Sequence, residues 1–223
     1  MCFLSKKVLK LVVLLMSIAT LFHFESVSRV SIADLYPKKN IIFEDQNGNV
    51  LRWIPDESGE RHSWTSLKNI PEIVQKAFVS AEDHRFYSHP GIDVLAIVRA
   101  VKSNLTEGRI VSGASTLTQQ LSRLSYPRKR TYYDKLVEVV RSLRIEWMLD
   151  KDKILEFYLN SVPLGNNLLG VKAGSKVYFG KTLSRLTNTE AALLASLPKA
   201  PGTLNPYGKN IHSLIERKSW VLE

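Results

Sequence analysis

From about residue 70 onward, apolar positions recur three and four residues apart and are interrupted by Pro, Gly and short polar runs. That pattern predicts a mainly α chain. Pro71 stands at a first-turn position before "EIVQKAFVSAEDHRF", where Ile73, Val74, Ala77, Phe78 and Ala81 fall at helical spacing. "DVLAIVRAVKSNL", residues 93 to 105, predicts a second helix capped by Asp93, and "TEGRIVSG" then breaks it as a flexible loop. "STLTQQLSRL", residues 115 to 124, predicts a third with Ser115 or Thr116 as cap, ended by Pro127 and the basic run Arg128, Lys129, Arg130. A fourth runs from Tyr132 to Leu149. On its wheel Leu136, Val140, Leu143 and Trp147 share one face, expected to be the core stripe, and Asp134, Lys135, Glu138, Arg141 and Ser142 share the opposite, charged face. "KDKILEFYLNSVP", residues 151 to 163, and "NTEAALLASLPKAP", residues 188 to 201, predict two more, the last capped by Asn188 or Thr189.

Two stretches depart from this pattern. "NIIFEDQNGNVLRWI", residues 40 to 54, places β-prone runs on either side of Asn47-Gly48 and predicts a hairpin. Nearer the start, Lys6, Lys7 and Lys10 precede the apolar "LVVLLMSIATLFHF", residues 11 to 24. Counted from Val8, with the lysines snorkelling, this approaches the roughly 20 residues of a membrane span. Glu25 and the absence of an Ala-x-Ala pattern argue against a cleaved signal peptide. The expected organisation is a cytoplasmic tail over 1–7, a transmembrane signal anchor over 8–24 and a juxtamembrane segment with the hairpin over 25–60. A catalytic domain follows over 61–210, and residues 211–223 start a helical segment of a longer protein. The lysines then put everything after the anchor outside the cytoplasm.

Composition adds two constraints. A formal net charge of +10 favours a polyanionic partner. Nucleic acid is the remote choice, because the chain carries an export signal and no zinc-finger, RNA-recognition or cold-shock pattern. The single cysteine, Cys2, allows neither an internal disulfide nor a cysteine zinc framework.

The densest candidate chemistry lies in "FVSAEDHRFYSHPGID", residues 78 to 93. Glu82 and Asp83 are adjacent, so on a helix their side chains diverge by about 100° and only one can face a given substrate atom. His84 and His89 lack the i, i+4 spacing of a helical zinc motif. "GASTLTQQ", residues 113 to 120, sets hydroxyls and two amides at a helix N-terminus, which suits an anion as well as an ordinary cap. "GSKVYFGKT" misses the spacing of a phosphate-binding loop by one residue. "SLPK" matches the Ser-x-x-Lys of penicillin-reactive enzymes without its companion boxes.

Taken in order, "EDHRFYSHPG" (82 to 91), "GASTLTQQ" (113 to 120), "KLVE" (135 to 138), "KDKILEFYLN" (151 to 160) and "EAALLASLPKAP" (190 to 201) resemble the signature blocks of the peptidoglycan glycosyltransferases. These are glycosyltransferase family 51, the transglycosylase half of class A penicillin-binding proteins and the monofunctional transglycosylases. The segments "HPGIDVLAIVRA", "IEWMLDKDKILE" and "VPLGNNLLGVKAG" look nearest to the 1C branch.

The resemblance implies a lysozyme-like α-helical domain on a membrane anchor, in the bacterial plasma membrane with the catalytic part on the extracytoplasmic side. The implied reaction joins lipid-linked disaccharide-peptide to a growing glycan, inverting the anomeric carbon and releasing polyprenyl diphosphate. By block position it implies Glu82 as general base and Glu138 as the second acidic residue. It implies Ser115, Thr116, Gln119, Gln120, Lys135 and Arg141 as substrate contacts, and Asp83, Phe86, His89, Gly91 and Gly113 as structural support. It leaves open a divalent cation (Mg or Mn) at the diphosphate and other cell-wall synthesis proteins as partners. Asp134 departs from the block, standing where the family has arginine; Lys129, Arg130 or Arg141 are candidates for the missing charge. Two rival readings are a lytic enzyme on the same scaffold and a catalytically silent scaffold of a wall-building complex.

Overall fold

The computed structural model describes residues 6–37, 40–46, 50–55, 59–108, 113–202, 204, 206–208 and 211–222, and their side chains except those of 6–9 and 11–13. The chain runs α1 (Lys6–Ser28), β1 (Ile41–Glu44), β2 (Val50–Ile54), β3 (Arg61–His62), α2 (Glu72–Glu82), α3 (Val94–Glu107), α4 (Leu117–Ser125), α5 (Tyr132–Met148) and α6 (Lys151–Ser161). It continues through β4 (Leu168–Leu169), α7 (Val171–Phe179), α8 (Asn188–Ser196) and α9 (Ile211–Leu222). The chain is mainly helical, as its periodicity predicts. β1 and β2 pair antiparallel from Ile41 opposite Ile54 to Glu44 opposite Val50, which agrees with the expected hairpin; its Asn47-Gly48 turn lies outside the described residues.

α6 is the central rod. Ile154, Leu155, Phe157, Tyr158 and Leu159 have no exposed surface, and the buried Glu156 and Asn160 are satisfied by the backbone of Leu67 and Thr65, so the helix is covered from Ile154 onward. α4 packs between α5 and α6, while α2, α8 and α9 pack together. Phe78 of α2 meets Tyr158 of α6 edge to face at 6.4 Å and joins the two groups. α9 belongs to this body: its Leu214 is fully buried and α9 packs on α8 and α2. The caps follow the sequence closely. Asp93 caps α3 and Thr116, rather than Ser115, caps α4. α8 begins one residue earlier than expected, with Thr187 and Glu190 forming a reciprocal capping box.

The fourth predicted helix forms, but its buried face is not the one expected. Leu136, Leu143 and Trp147 are exposed, Trp147 at 91%, whereas Val137, Arg141, Ser142 and Ile145 are buried. The reason is what covers each face. α4 packs on the Val137–Ile145 side, and the end of α1 with Tyr126 covers Arg141. α3 behaves similarly: only Ala100 is buried, and Val94, Leu95, Val98, Val101 and Leu105 face outward.

The stretch expected to be an anchor is helical, within α1. Among the described residues, however, no helix is long and apolar enough to cross a membrane. The lower end of α1 is docked on α5: Arg144 Nη2 lies 2.5 Å from Glu25 Oε2, and Arg141 Nη2 donates to the Val27 carbonyl at 2.5 Å.

Candidate active site

Glu82 closes α2 and Asp83 follows it as the C-cap; their side chains part as helical geometry requires. Asp83 turns into the protein. Its carboxylate receives the Leu117 backbone N–H at 2.9 Å and lies 3.0 and 3.1 Å from His89 Nε2. It thus ties the turn after α2 to the start of α4. Glu82 turns the other way, into an open cavity of about 600 Å3 walled by Gly113, Ser115, Gln120, Arg123, Lys199, Arg217 and Trp220.

Gln120 fixes the Glu82 carboxylate. Its Nε2 donates to Glu82 Oε2 at 2.9 Å while its Oε1 accepts from the Tyr158 hydroxyl at 3.2 Å. The other oxygen, Oε1, is buried without a hydrogen-bond partner, with Arg217 Nη2 3.8 Å away. Burial pushes the Glu82 carboxyl above the ordinary glutamate range, opposed by the Gln120 hydrogen bond and by the charges of Arg217, Lys199 and Arg123. A carboxylate raised in this way, with one oxygen free, is a stronger proton acceptor than an ordinary exposed glutamate.

The second cavity, of about 840 Å3, adjoins the first through Ser115 and Arg123, which line both. Arg123, Arg128, Lys129, Arg130, Lys135 and Arg141 line it against only two carboxylates, Asp134 and Glu138. Lys135 Nζ is the hub, donating to Ser115 Oγ at 3.1 Å and Gln119 Oε1 at 3.2 Å and pairing with Glu138. Glu138 also faces Arg123 Nη1 at 3.8 Å. Arg141 forms the back wall, stacked over the Tyr126 ring at 4.1 Å; burial lowers its pKa below the usual arginine value. Asp134 accepts from Arg128 Nε at 2.5 Å and from the Thr131 hydroxyl at 2.6 Å, so it holds an arginine at the groove's rim.

The expected groups are therefore mostly gathered in one cleft, with differences. Thr116 is buried, donating to the Gly91 carbonyl at 2.7 Å and accepting from Gln119 N at 3.2 Å, so it acts as a cap away from the cleft. The Leu117 and Gln119 N–H groups of α4 are likewise taken by Asp83 and Thr116; anion-binding capacity here lies in side chains rather than in the helix end. His89 and Phe86 are held from behind by Lys151, which donates to the His89 carbonyl at 2.6 Å and sits 4.5 Å over the Phe86 ring. Gly91 has φ of +88°, and a Cβ there would lie 3.1 Å from the Ser142 carbonyl, so glycine is required. Gly113 is exposed on the cavity wall, and residues 109–112 of the preceding loop lie outside the described residues.

The carboxylates near the cleft are engaged by protein groups. Glu138 already faces two cations, and Asp134 is occupied by Arg128 and Thr131. Asp83, His89 and Asp93 lie close together. Asp83, though, is bonded to His89 and Leu117, and Asp93 to Arg85 and the Ala96 N–H. Sequence reasoning missed Arg123 and Arg217. Arg123 follows Gln119 and Gln120 by four and three residues, a spacing that puts it on their face. Arg217 arrives from 135 residues beyond Glu82, and no local pattern pairs them.

The transglycosylase family model matches residues 47–223. The chain is 46% identical over 165 residues to penicillin-binding protein 1A of Aquifex aeolicus, covering 74% of this chain and 23% of that protein. It is 37% identical over 194 residues to penicillin-binding protein 1A of Neisseria gonorrhoeae, covering 86% and 24%. The Escherichia coli protein of the same name is 49% identical over 142 residues, 63% of this chain and 17% of that one. The chain thus spans about a quarter or less of the length of these relatives, which carry the 1A name rather than 1C. A family match over most of the chain and the cleft between α2, α4 and α5 lead to one conclusion: this chain belongs to the transglycosylase family.

Proposed function

We propose that this chain is a peptidoglycan glycosyltransferase domain that polymerises lipid-linked disaccharide-peptide into β-1,4 glycan. The observation that carries the reading is the shared wall of Ser115 and Arg123, which sets the free oxygen of Glu82 beside a strongly basic groove. Glu82 takes the proton from the acceptor 4-hydroxyl as its oxygen forms a bond to the donor's anomeric carbon. The bond from that carbon to the diphosphate breaks with inversion, and the diphosphate leaves with the electron pair. Lys135, Arg123 and the rim cations hold the anionic leaving group, whose charge rises along the reaction. Glu138 orients Lys135 and Arg123.

A lipid-linked substrate must be met at a bilayer surface. The exposed apolar stripes of α3 and α5 and the exposed Leu14, Leu15, Ile18, Leu21 and Phe22 of α1 support a membrane-facing side, with α1 as its anchor and the cleft on the extracytoplasmic side. The test is incubation with lipid-linked disaccharide-peptide. Wild type is expected to yield polymer, and Glu82→Gln to lose activity by about 100-fold or more. Release of fragments from finished glycan without polymer, or a Glu82→Gln variant as active as wild type, sinks the reading.

A further inference from the structure

Arg217 is the one cation within ion-pair distance of Glu82 among the described residues, and it comes from α9, outside the signature blocks. Its Nη2 donates to the Ala81 carbonyl at 3.0 Å. That carbonyl belongs to the last turn of α2, where carbonyls have no intrahelical partner and a cation complements the helix dipole. The same Nη2 stands 3.8 Å from Glu82 Oε1, the oxygen that Gln120 leaves free. The guanidinium is clamped by Trp220, over whose ring it lies at 4.3 Å, and both residues line the cavity that Glu82 enters.

We propose that Arg217 is a positioning residue for Glu82, fixing the end of α2 and biasing the free carboxylate oxygen toward its ionised, proton-accepting state. The proposal rests on the reading of Glu82 as the base. The neighbouring elements contribute groups that face Glu82: Arg123 and the neutral Gln120 on α4, the Tyr158 hydroxyl on α6 and Lys199 in the turn after α8; Asp83, next in the chain, points away. Arg217 is the closest of the charges. The others stay when it is replaced, so its share can be separated.

The experiment is the pH profile of kcat/KM for polymerisation of lipid-linked disaccharide-peptide by the full chain, in wild type, Arg217→Gln and Arg217→Lys. Glutamine keeps a donor for the Ala81 carbonyl and removes the charge. It is expected to move the acid limb up by about one pH unit, since an opposite charge at this range holds a carboxyl down by that order. Lysine, with its charge set farther back, is expected to fall between the two, moving the limb by about half as much. Melting temperatures report folding, and if the glutamine variant is unfolded at the assay temperature the lysine shift decides. An acid limb unmoved in the folded variants, including a uniform loss at every pH, overturns the proposal and leaves Arg217 a packing residue. A fully active Glu82→Gln variant would instead overturn the reading of the base.

Discussion

Gln120 and Glu82 are joined by an amide-to-carboxylate hydrogen bond of 2.9 Å, and the amide is itself oriented by the Tyr158 hydroxyl behind it. Replacing Gln120 by leucine removes a donor to a charged group, an interaction of about 1.5–3 kcal/mol. The expected result is a fall in kcat/KM of roughly 10- to 100-fold, with an acid limb at higher pH, because that hydrogen bond holds the Glu82 pKa down. An unshifted limb would mean that Gln120 contacts substrate only.

Glu82 also makes a prediction about stability. Its folded pKa is raised by burial, so below the unfolded carboxyl value the residue is protonated in both states and costs nothing in charge burial. As pH rises through the folded pKa, that stability is lost. Glu82→Gln removes the loss, so at neutral pH the variant is expected to melt at or above the wild-type temperature by calorimetry. At pH 4 the difference should shrink toward zero.

Asp83 is expected to fail differently. Alanine there strands the Leu117 N–H and the His89 ring nitrogen in a buried site. The cost is about 2–4 kcal/mol in urea unfolding. Asparagine, which retains one acceptor oxygen, should recover part of it.

Lys135→Met takes one charge from the groove and leaves Glu138 with Arg123 alone. The KM for the lipid-linked substrate is expected to rise about tenfold, and the fall of kcat/KM with added salt should become shallower. Unchanged salt dependence would place the diphosphate elsewhere.

Asp134→Arg restores the family's usual residue at the third block. Here, however, it deletes the partner of Arg128 and Thr131 and puts a cation in the first turn of α5. About 1 kcal/mol of stability is expected to go, lowering Tm by about 2–4 °C. Activity should change less than threefold, since Arg128 already brings its charge to the same groove.

Where a side chain answers to its own helix, the sequence was informative. Asp93 and Thr116 cap as their types suggest, and the divergence of Glu82 from Asp83 follows from helix geometry alone. Periodicity also located α5, yet it could not say which of two faces goes inward, because Leu136, Leu143 and Trp147 form as regular a stripe as Val137 and Ile145. That choice was made by α4 and the end of α1, which are remote in the chain. Lys135, Glu138, Gln119 and Ser115, drawn from the second and third blocks, meet in one hydrogen-bonded cluster. Arg217 stayed hidden because its relation to Glu82 exists only once α9 has packed on α2.

α4 places three consecutive side chains on three separate partners: Thr118 on Glu146 at 2.5 Å, Gln119 on Lys135 at 3.2 Å, and Gln120 on Glu82 at 2.9 Å. The helix therefore works as an indexing pin whose rotational setting is shared by Glu82, the cationic groove and the core. A single inserted or deleted residue ahead of Thr118 would turn all three by about 100° at once. Within these nine residues, exchanges of side chain should degrade the enzyme by degrees, whereas a change of length should silence it outright.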